Sequence, residues 1–202
     1  MNLPAGFPFP LALKTVRLLG TLFAATLAAT ISFATTPAPS AAPQVGDRAP
    51  TFTLNTLDDQ PIELARIGQD KKIVLVVLRG WPGYQCPFCT TQVYEYVGHA
   101  EDFAARNIQV VMVYPGPAEQ LRAHANEFLG DKHWPKGFFF VIDPDYTFTN
   151  RYGLRWNAKN ETAYPSTFVI DESGKISFAH ISREHGDRMG AAALLRIIDP
   201  KK

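Results

Sequence analysis

Ile73-Val74-Leu75-Val76-Val77-Leu78-Arg79-Gly80-Trp81-Pro82-Gly83-Tyr84-Gln85-Cys86-Pro87-Phe88-Cys89 is the stretch that decides the fold. Its first six residues are a continuous, mostly β-branched apolar run. Such a run suits a strand buried on both faces, in the middle of a sheet covered by helices. Two glycines and a proline then break the run. From Pro87 the pattern changes. Val93, Tyr96, Val97 and Phe103 recur at three- and four-residue steps, which predicts a helix over 87–106, with Pro87 at its first position, where a missing N–H costs nothing.

The same alternation continues outward. Gln109 to Tyr114 is a second buried strand, stopped by Pro115-Gly116-Pro117, and Ala118 to Leu129 is a second helix with Leu121, Ala125 and Phe128 on one face. Residues 137–142 form a third apolar run, Asp143-Pro144-Asp145 turns the chain, and 148–152 make one helical turn. Ser166 to Ile170 and Lys175 to Ile181, joined by Asp171-Glu172-Ser173-Gly174, form an antiparallel hairpin, and 191–198 close the chain as a helix. Upstream, 51–54 and 62–64 alternate around the turn cluster Asp58-Asp59-Gln60-Pro61 and predict a short opening hairpin. The expected fold class is α/β, a mixed central sheet flanked by helices on both faces, with an N-terminal β extension.

The first forty-four residues read differently. Lys14 and Arg17 are the only charges before Asp47, and Leu18 to Ala34 is an uncharged apolar run ending in Ser32-Phe33-Ala34. A positive start, an apolar middle and a small-residue end predict a secretory signal peptide over 1–34. The alternative is an uncleaved anchor, for which 17 residues with Gly20 and several Thr and Ser form a short, weak span. Residues 35–44 are a Pro/Ala linker, and 45–202 form one domain. The expected location is periplasmic or secreted, with membrane contact only if the signal is uncleaved.

Composition narrows the function. Of 202 residues 46% are hydrophobic, 12% aromatic and 19% charged, a globular balance. Removing Lys14 and Arg17 from 20 basic residues leaves 18 against 19 acidic ones, so the domain has no basic footprint for nucleic acid. Two cysteines are too few for a disulfide-stapled scaffold, and a domain of this length needs no staple.

Those two cysteines are Cys86 and Cys89, the candidate catalytic residues. A Cys-x-x-Cys pair where a buried strand meets a helix reads as a dithiol redox site. The unpaired N–H groups and dipole of the first helical turn favour a thiolate on the first sulfur. A free thiol with a pKa of about 8.5 is only about 3% thiolate at neutral pH, and a helix N-terminus lowers the pKa toward about 3.5–7.5. The alternatives are haem attachment, zinc and a structural disulfide. The first needs His at position 90, which is Thr; zinc needs two more ligands, which His99, His124, His133, His180 and His185 do not supply as a compact pair; a disulfide closing so small a loop adds little stability. No metal or organic cofactor is implied.

A second feature is Tyr164-Pro165-Ser166-Thr167. A proline at a strand start is often an edge device. A cis bond there would instead bring the preceding backbone to the sulfurs to pair with an extended substrate. Trp81, Tyr84 and Phe88 are either an apolar docking rim or core packing, and 183–188, Arg-Glu-His-Gly-Asp-Arg, is expected to be a solvated loop.

On these motifs the chain resembles thioredoxin-fold redoxins of the peroxiredoxin-like branch of the alkyl hydroperoxide reductase/thiol-specific antioxidant family. Gly46-Asp47-x-Ala49-Pro50-x-Phe52-x-Leu54 resembles that family's opening, residues 73–89 its first core strand and site, and Phe168-Val169-Ile170-Asp171-x-x-Gly174 its late hairpin. The resemblance spans about 45–198 and implies a thioredoxin fold. Peroxiredoxins carry Pro-x-x-x-Thr/Ser-x-x-Cys, the last Cys attacking peroxide; here Pro82 is followed by Cys86 in the Thr slot and Cys89 in the Cys slot. Thioredoxins use the first Cys as nucleophile, opposite a cis-Pro whose position Pro165 fits. Peroxidase chemistry therefore predicts Cys89 as nucleophile, and thiol–disulfide exchange predicts Cys86. Many peroxiredoxins place an Arg near position 165; this chain has none there, leaving Arg79, Arg155 and Arg183 either as spatial substitutes or as ordinary surface residues. The resemblance implies an antioxidant thiol oxidoreductase acting on a disulfide protein or a hydroperoxide, recharged by an external thiol reductant, with Trp81, Pro82, Tyr164 and Pro165 meeting the substrate. The competing class is a non-catalytic binding module with an inert disulfide.

Overall fold

A computed structural model describes residues 41–83, 85–131 and 133–199. The signal over 1–34, most of the 35–44 linker and the proposed rim residue Tyr84 lie outside the described residues.

The apolar runs become a seven-stranded sheet. In chain order the elements are β1 (Thr53–Thr56), β2 (Pro61–Glu63), α1 (Leu64–Ile67), β3 (Lys72–Val77), α2 (Pro87–Gly98), α3 (Ala100–Ala105), β4 (Ile108–Gly116), α4 (Ala118–Leu129), β5 (Phe138–Pro144), α5 (Thr147–Arg151), β6 (Ser166–Ile170), β7 (Ile176–Ile181) and α6 (Ala191–Ile198). The strands lie in the order β2-β1-β5-β4-β3-β6-β7. β3, β4 and β5 run parallel, while β6, β7, β1 and β2 pair antiparallel with their neighbours.

Burial on both faces explains the apolar runs. Val74, Val76 and Leu78 face one core with Val93 of α2, Leu121 of α4 and Leu194 of α6. Ile73, Leu75 and Val77 face the other with Leu64 of α1 and Phe148 of α5. Alternate side chains of one strand thus enter opposite layers, as strand geometry requires.

One expected helix is two. The helical path over 87–106 breaks at His99, which follows Gly98 and has φ −102° and ψ 18°. Gly98 weakens the helix interior. α3 restarts with Glu101 and Asp102 in its first turn, where negative charge is favoured, and Asp102 Oδ2 lies 2.8 Å from His99 Nδ1.

The loop from β3 to α2 is shaped by an absent side chain. Gly80 has φ +70°, and a Cβ there would lie 1.9 Å from the Pro115 carbonyl oxygen. That contact lets the Trp81 N–H bond the same oxygen at 3.1 Å and turns the chain from β3 toward Cys86.

Candidate active site

Cys86 is the residue preceding the first turn of α2, and Cys89 sits one turn on. Cys89, Gln92, Val93 and Tyr96 form the buried face of that helix. Both cysteines are buried thiols. From behind, the Arg79 backbone N–H, just past β3, donates to Cys89 Sγ at 3.3 Å. Gln85 fixes the approach: its Oε1 accepts from the Tyr114 hydroxyl at 2.7 Å and its Nε2 donates to the His124 carbonyl at 2.9 Å.

The cation at this site comes from the segment expected to be a solvated loop. Arg188 donates from Nη1 to Cys89 Sγ at 3.5 Å and from Nη2 to Cys86 Sγ at 3.7 Å. It is held by Gln92 Oε1 at 3.1 Å and, through Nε, by the His185 carbonyl at 2.7 Å. Gln92 Nε2 and the Tyr96 hydroxyl both donate to the Met189 carbonyl, so α2 grips the segment from the two turns that follow Cys89. The sequence signal was a glutamine on the apolar face of a helix, three residues after Cys89; nothing local marked Arg188.

The two thiols are driven apart. Cys86 is lowered to about 5, first because the Cys89 thiol donates to it; burial works against this, and the Cys89 backbone N–H and the charges of Arg188 and Arg79 assist. Burial pushes Cys89 well above the usual thiol range, and its bond to Cys86 adds to the rise. The proton of the pair therefore rests on Cys89 and the negative charge on Cys86. The peroxiredoxin-type register, which assigns attack to Cys89, meets a sulfur that keeps its proton.

The other candidate residues lie around this centre. Arg79 is fully buried (0% exposed), not solvated. Its Nε donates to Glu161 at 2.6 Å, and Glu161 also meets His185 Nε2 at 3.0 Å. Burial works to raise the Glu161 carboxyl, but its bonds to Arg79 and His185 prevail and hold it low. Arg155 binds the carbonyls of Trp156, Glu161 and Thr162 and covers the Tyr146 ring, while Arg183 lies over the Tyr164 ring. Neither is the cation seen at the sulfurs.

Among the described residues no peptide bond is cis, so Pro165 is trans. It is buried at the foot of β6, and its carbonyl accepts from the Ser182 N–H at 2.9 Å. The Tyr164 N–H donates to the Leu154 carbonyl at 2.9 Å, and the Tyr164 carbonyl accepts from Ser166 Oγ at 2.8 Å. The backbone expected to pair with an extended substrate is thus engaged within the fold. Trp81 packs on the core and stacks on His124 with ring centroids 3.6 Å apart, while Pro82 is half-buried in the adjoining bend. Phe88 alone of the described rim aromatics is strongly exposed, at 48%. It edges an open groove of about 570 Å³, with Trp156, Glu161, Arg183, Glu184, His185 and Gly186 as the other walls.

Residues 44–195 match the Redoxin family. The chain belongs to the Redoxin family. Two Mycobacterium tuberculosis proteins named as peroxiredoxins are each 30% identical to this redoxin over 141 residues, 66% of this chain and 82% of theirs. Among solved structures, a yeast mitochondrial 1-Cys peroxiredoxin superposes with a TM-score of 0.61 at 21% identity, covering 77% of this chain and 75% of that one. A peroxiredoxin-like protein from Aquifex aeolicus gives 0.60 at 19%, covering 80% and 90%. The redoxin is thus a peroxiredoxin-like protein of thioredoxin fold and a thiol-based oxidoreductase, as its motifs implied.

Proposed function

We propose that this redoxin reduces hydroperoxides by cycling Cys86 and Cys89 between dithiol and disulfide, with Cys86 as the attacking thiolate. The observation that carries the reading is the site's polarity: an ionised Cys86 at the mouth of α2, Arg188 across both sulfurs, and a proton-bearing Cys89 one turn away.

The Cys86 thiolate attacks the terminal oxygen of ROOH. The O–O bond breaks, RO⁻ leaves and takes a proton from solvent, and Cys86 becomes the sulfenic acid. The Arg188 charge, already at the sulfur, stabilises the negative charge that builds up on the departing oxygen. Cys89 then attacks the Cys86 sulfur. Hydroxide leaves and combines with the Cys89 proton as water, giving the disulfide. Two equivalents of an external thiol reduce that disulfide through a mixed disulfide and leave as their own disulfide. The apolar run over 18–34 supports export, and a periplasmic or secreted setting is one in which such a disulfide persists.

Thiol–disulfide exchange is the second reading, favoured by the charge resting on the first cysteine of the pair. The internally engaged backbone at Tyr164 and Pro165 weighs toward the small hydroperoxide. Cys86→Ser and Cys89→Ser decide between the two in paired peroxide-consumption and disulfide-reduction assays. Cys86→Ser should abolish both activities. Cys89→Ser should complete one peroxide turnover and stop as a Cys86 sulfenic acid, trapped by dimedone. A sulfenic acid on Cys89 in Cys86→Ser would overturn the assignment, and a Cys89→Ser protein trapping disulfide partners without consuming peroxide would establish exchange. A bond that a mild reductant fails to open, with neither activity present, would leave only the binding module.

A further inference from the structure

Arg188 reaches the sulfurs from a segment with no regular structure between β7 and α6. Ser182 anchors one end through its N–H to the Pro165 carbonyl at 2.9 Å, and Gln92 and Tyr96 grip the Met189 carbonyl at the other. Asp187 lies 3.2 Å from His180 of β7. Between these, the His185 ring reaches out of the segment: Nε2 meets Glu161 Oε1 at 3.0 Å, and Trp156 packs at a tilt 5.3 Å away. Glu161 is itself fixed by Arg79, whose own N–H holds Cys89. The backbone carbonyl of the same histidine accepts the Arg188 Nε.

One residue therefore joins both guanidinium arms of the site. We propose that His185 is a positioning residue, its ring clamped by Glu161 so that its carbonyl lays the Arg188 guanidinium across Cys86 and Cys89. A long cationic side chain has several rotamers open to it, and its effect on a sulfur falls with distance. Releasing the ring loosens the carbonyl that aims the charge, without removing the charge. The groups that face Cys86 are Cys89, Arg188, Arg79 and, from β4, the Tyr114 hydroxyl. His185 faces Glu161 and Trp156, with Arg183, Glu184 and Asp187 carried on its own segment.

This inference rests on the reading of Cys86 as the working thiolate, and the test separates the two. The reduced full-length protein is alkylated with iodoacetamide across pH, the modified cysteine being identified by mass spectrometry. The series is wild type, His185→Ala, His185→Gln, Arg188→Gln and the Ala/Gln double variant. His185→Ala should raise the Cys86 midpoint by about half a unit, roughly a threefold loss of thiolate below the midpoint, as expected for weakening part of a charge effect of about 1–3 units. His185→Gln, whose amide N–H can still meet Glu161, should restore the wild-type midpoint. On the Arg188→Gln background, His185→Ala should shift nothing further. An unmoved midpoint in a folded His185→Ala protein overturns the proposal, as does an equal shift with Arg188 already replaced. If the alanine variant does not fold, His185→Asn, too short to reach Glu161, carries the same expectation. A wild-type Cys86 titrating as an ordinary thiol would instead overturn the assignment of the nucleophile.

Discussion

Replacing Cys89 with alanine removes the thiol that contributes most to holding Cys86 ionised, while Arg188, Arg79 and the mouth of α2 remain. With its pKa at about 5, Cys86 is nearly all thiolate at neutral pH, against about 3% for a free thiol. A hydrogen bond to a charged acceptor is worth about 1.5–3 kcal/mol, and each pKa unit corresponds to about 1.4 kcal/mol. Losing the Cys89 donor should therefore raise the Cys86 midpoint by about 1–2 units, to between about 6 and 7. The ultraviolet absorbance of the thiolate against pH, with the reduced wild type beside it, reads this directly. An unmoved midpoint would show that the Cys89 S–H is not the donor. A midpoint at or above about 8.5 would show that helix and arginines do no more than offset burial, and the account of a site that ionises Cys86 without its Cys89 donor would fall with it.

Other expectations follow from the same geometry. In Cys86→Ser the remaining Cys89, pushed up by burial, should resist alkylation at neutral pH; rapid modification would contradict its burial. Cys86 is depressed in the fold, so it adds stability above its unfolded pKa that is lost as pH falls through about 5. Chemical denaturation should show the stability of reduced wild type over Cys86→Ser growing from pH about 5 to about 8.5, by at most about 1.4 kcal/mol per pH unit, and a flat difference would refute the linkage. Gly80→Ala forces a side chain into φ +70° and against the Pro115 carbonyl, and should cost more than about 2 kcal/mol in thermal or denaturant melts. Asp143 is fully buried; it accepts from the N–H groups of Phe148 and Thr149 and from the Thr149 hydroxyl, so Asp143→Ala should cost about 1–3 kcal/mol in the same melts.

The sheet was legible because burial on two faces leaves a mark on consecutive residues. The run from Ile73 could only be a central strand, and the bounds of α4, β6 and α6 followed from period and punctuation. The break at His99 was not legible, since Val93, Tyr96, Val97 and Phe103 keep a helical rhythm across it. The cysteine pair was visible because its spacing is local. Arg188 was not, because a cation within Arg-Glu-His-Gly-Asp-Arg looks like any solvated turn until β7 and α6 bring that turn over α2. The cis alternative at Pro165 is not met, for a related reason. A proline before a strand fits either isomer, and the partners that hold the backbone here, the Ser182 N–H and the Leu154 carbonyl, lie seventeen residues after Pro165 and ten before Tyr164.

Arg188 stands 99 residues after Cys89 and 102 after Cys86, so the charge that tends the sulfurs is synthesised well after them. A nascent chain that already carries both cysteines but ends before that arginine lacks one of the forces that ionise Cys86. That force acts only once the segment between β7 and α6 has docked over α2.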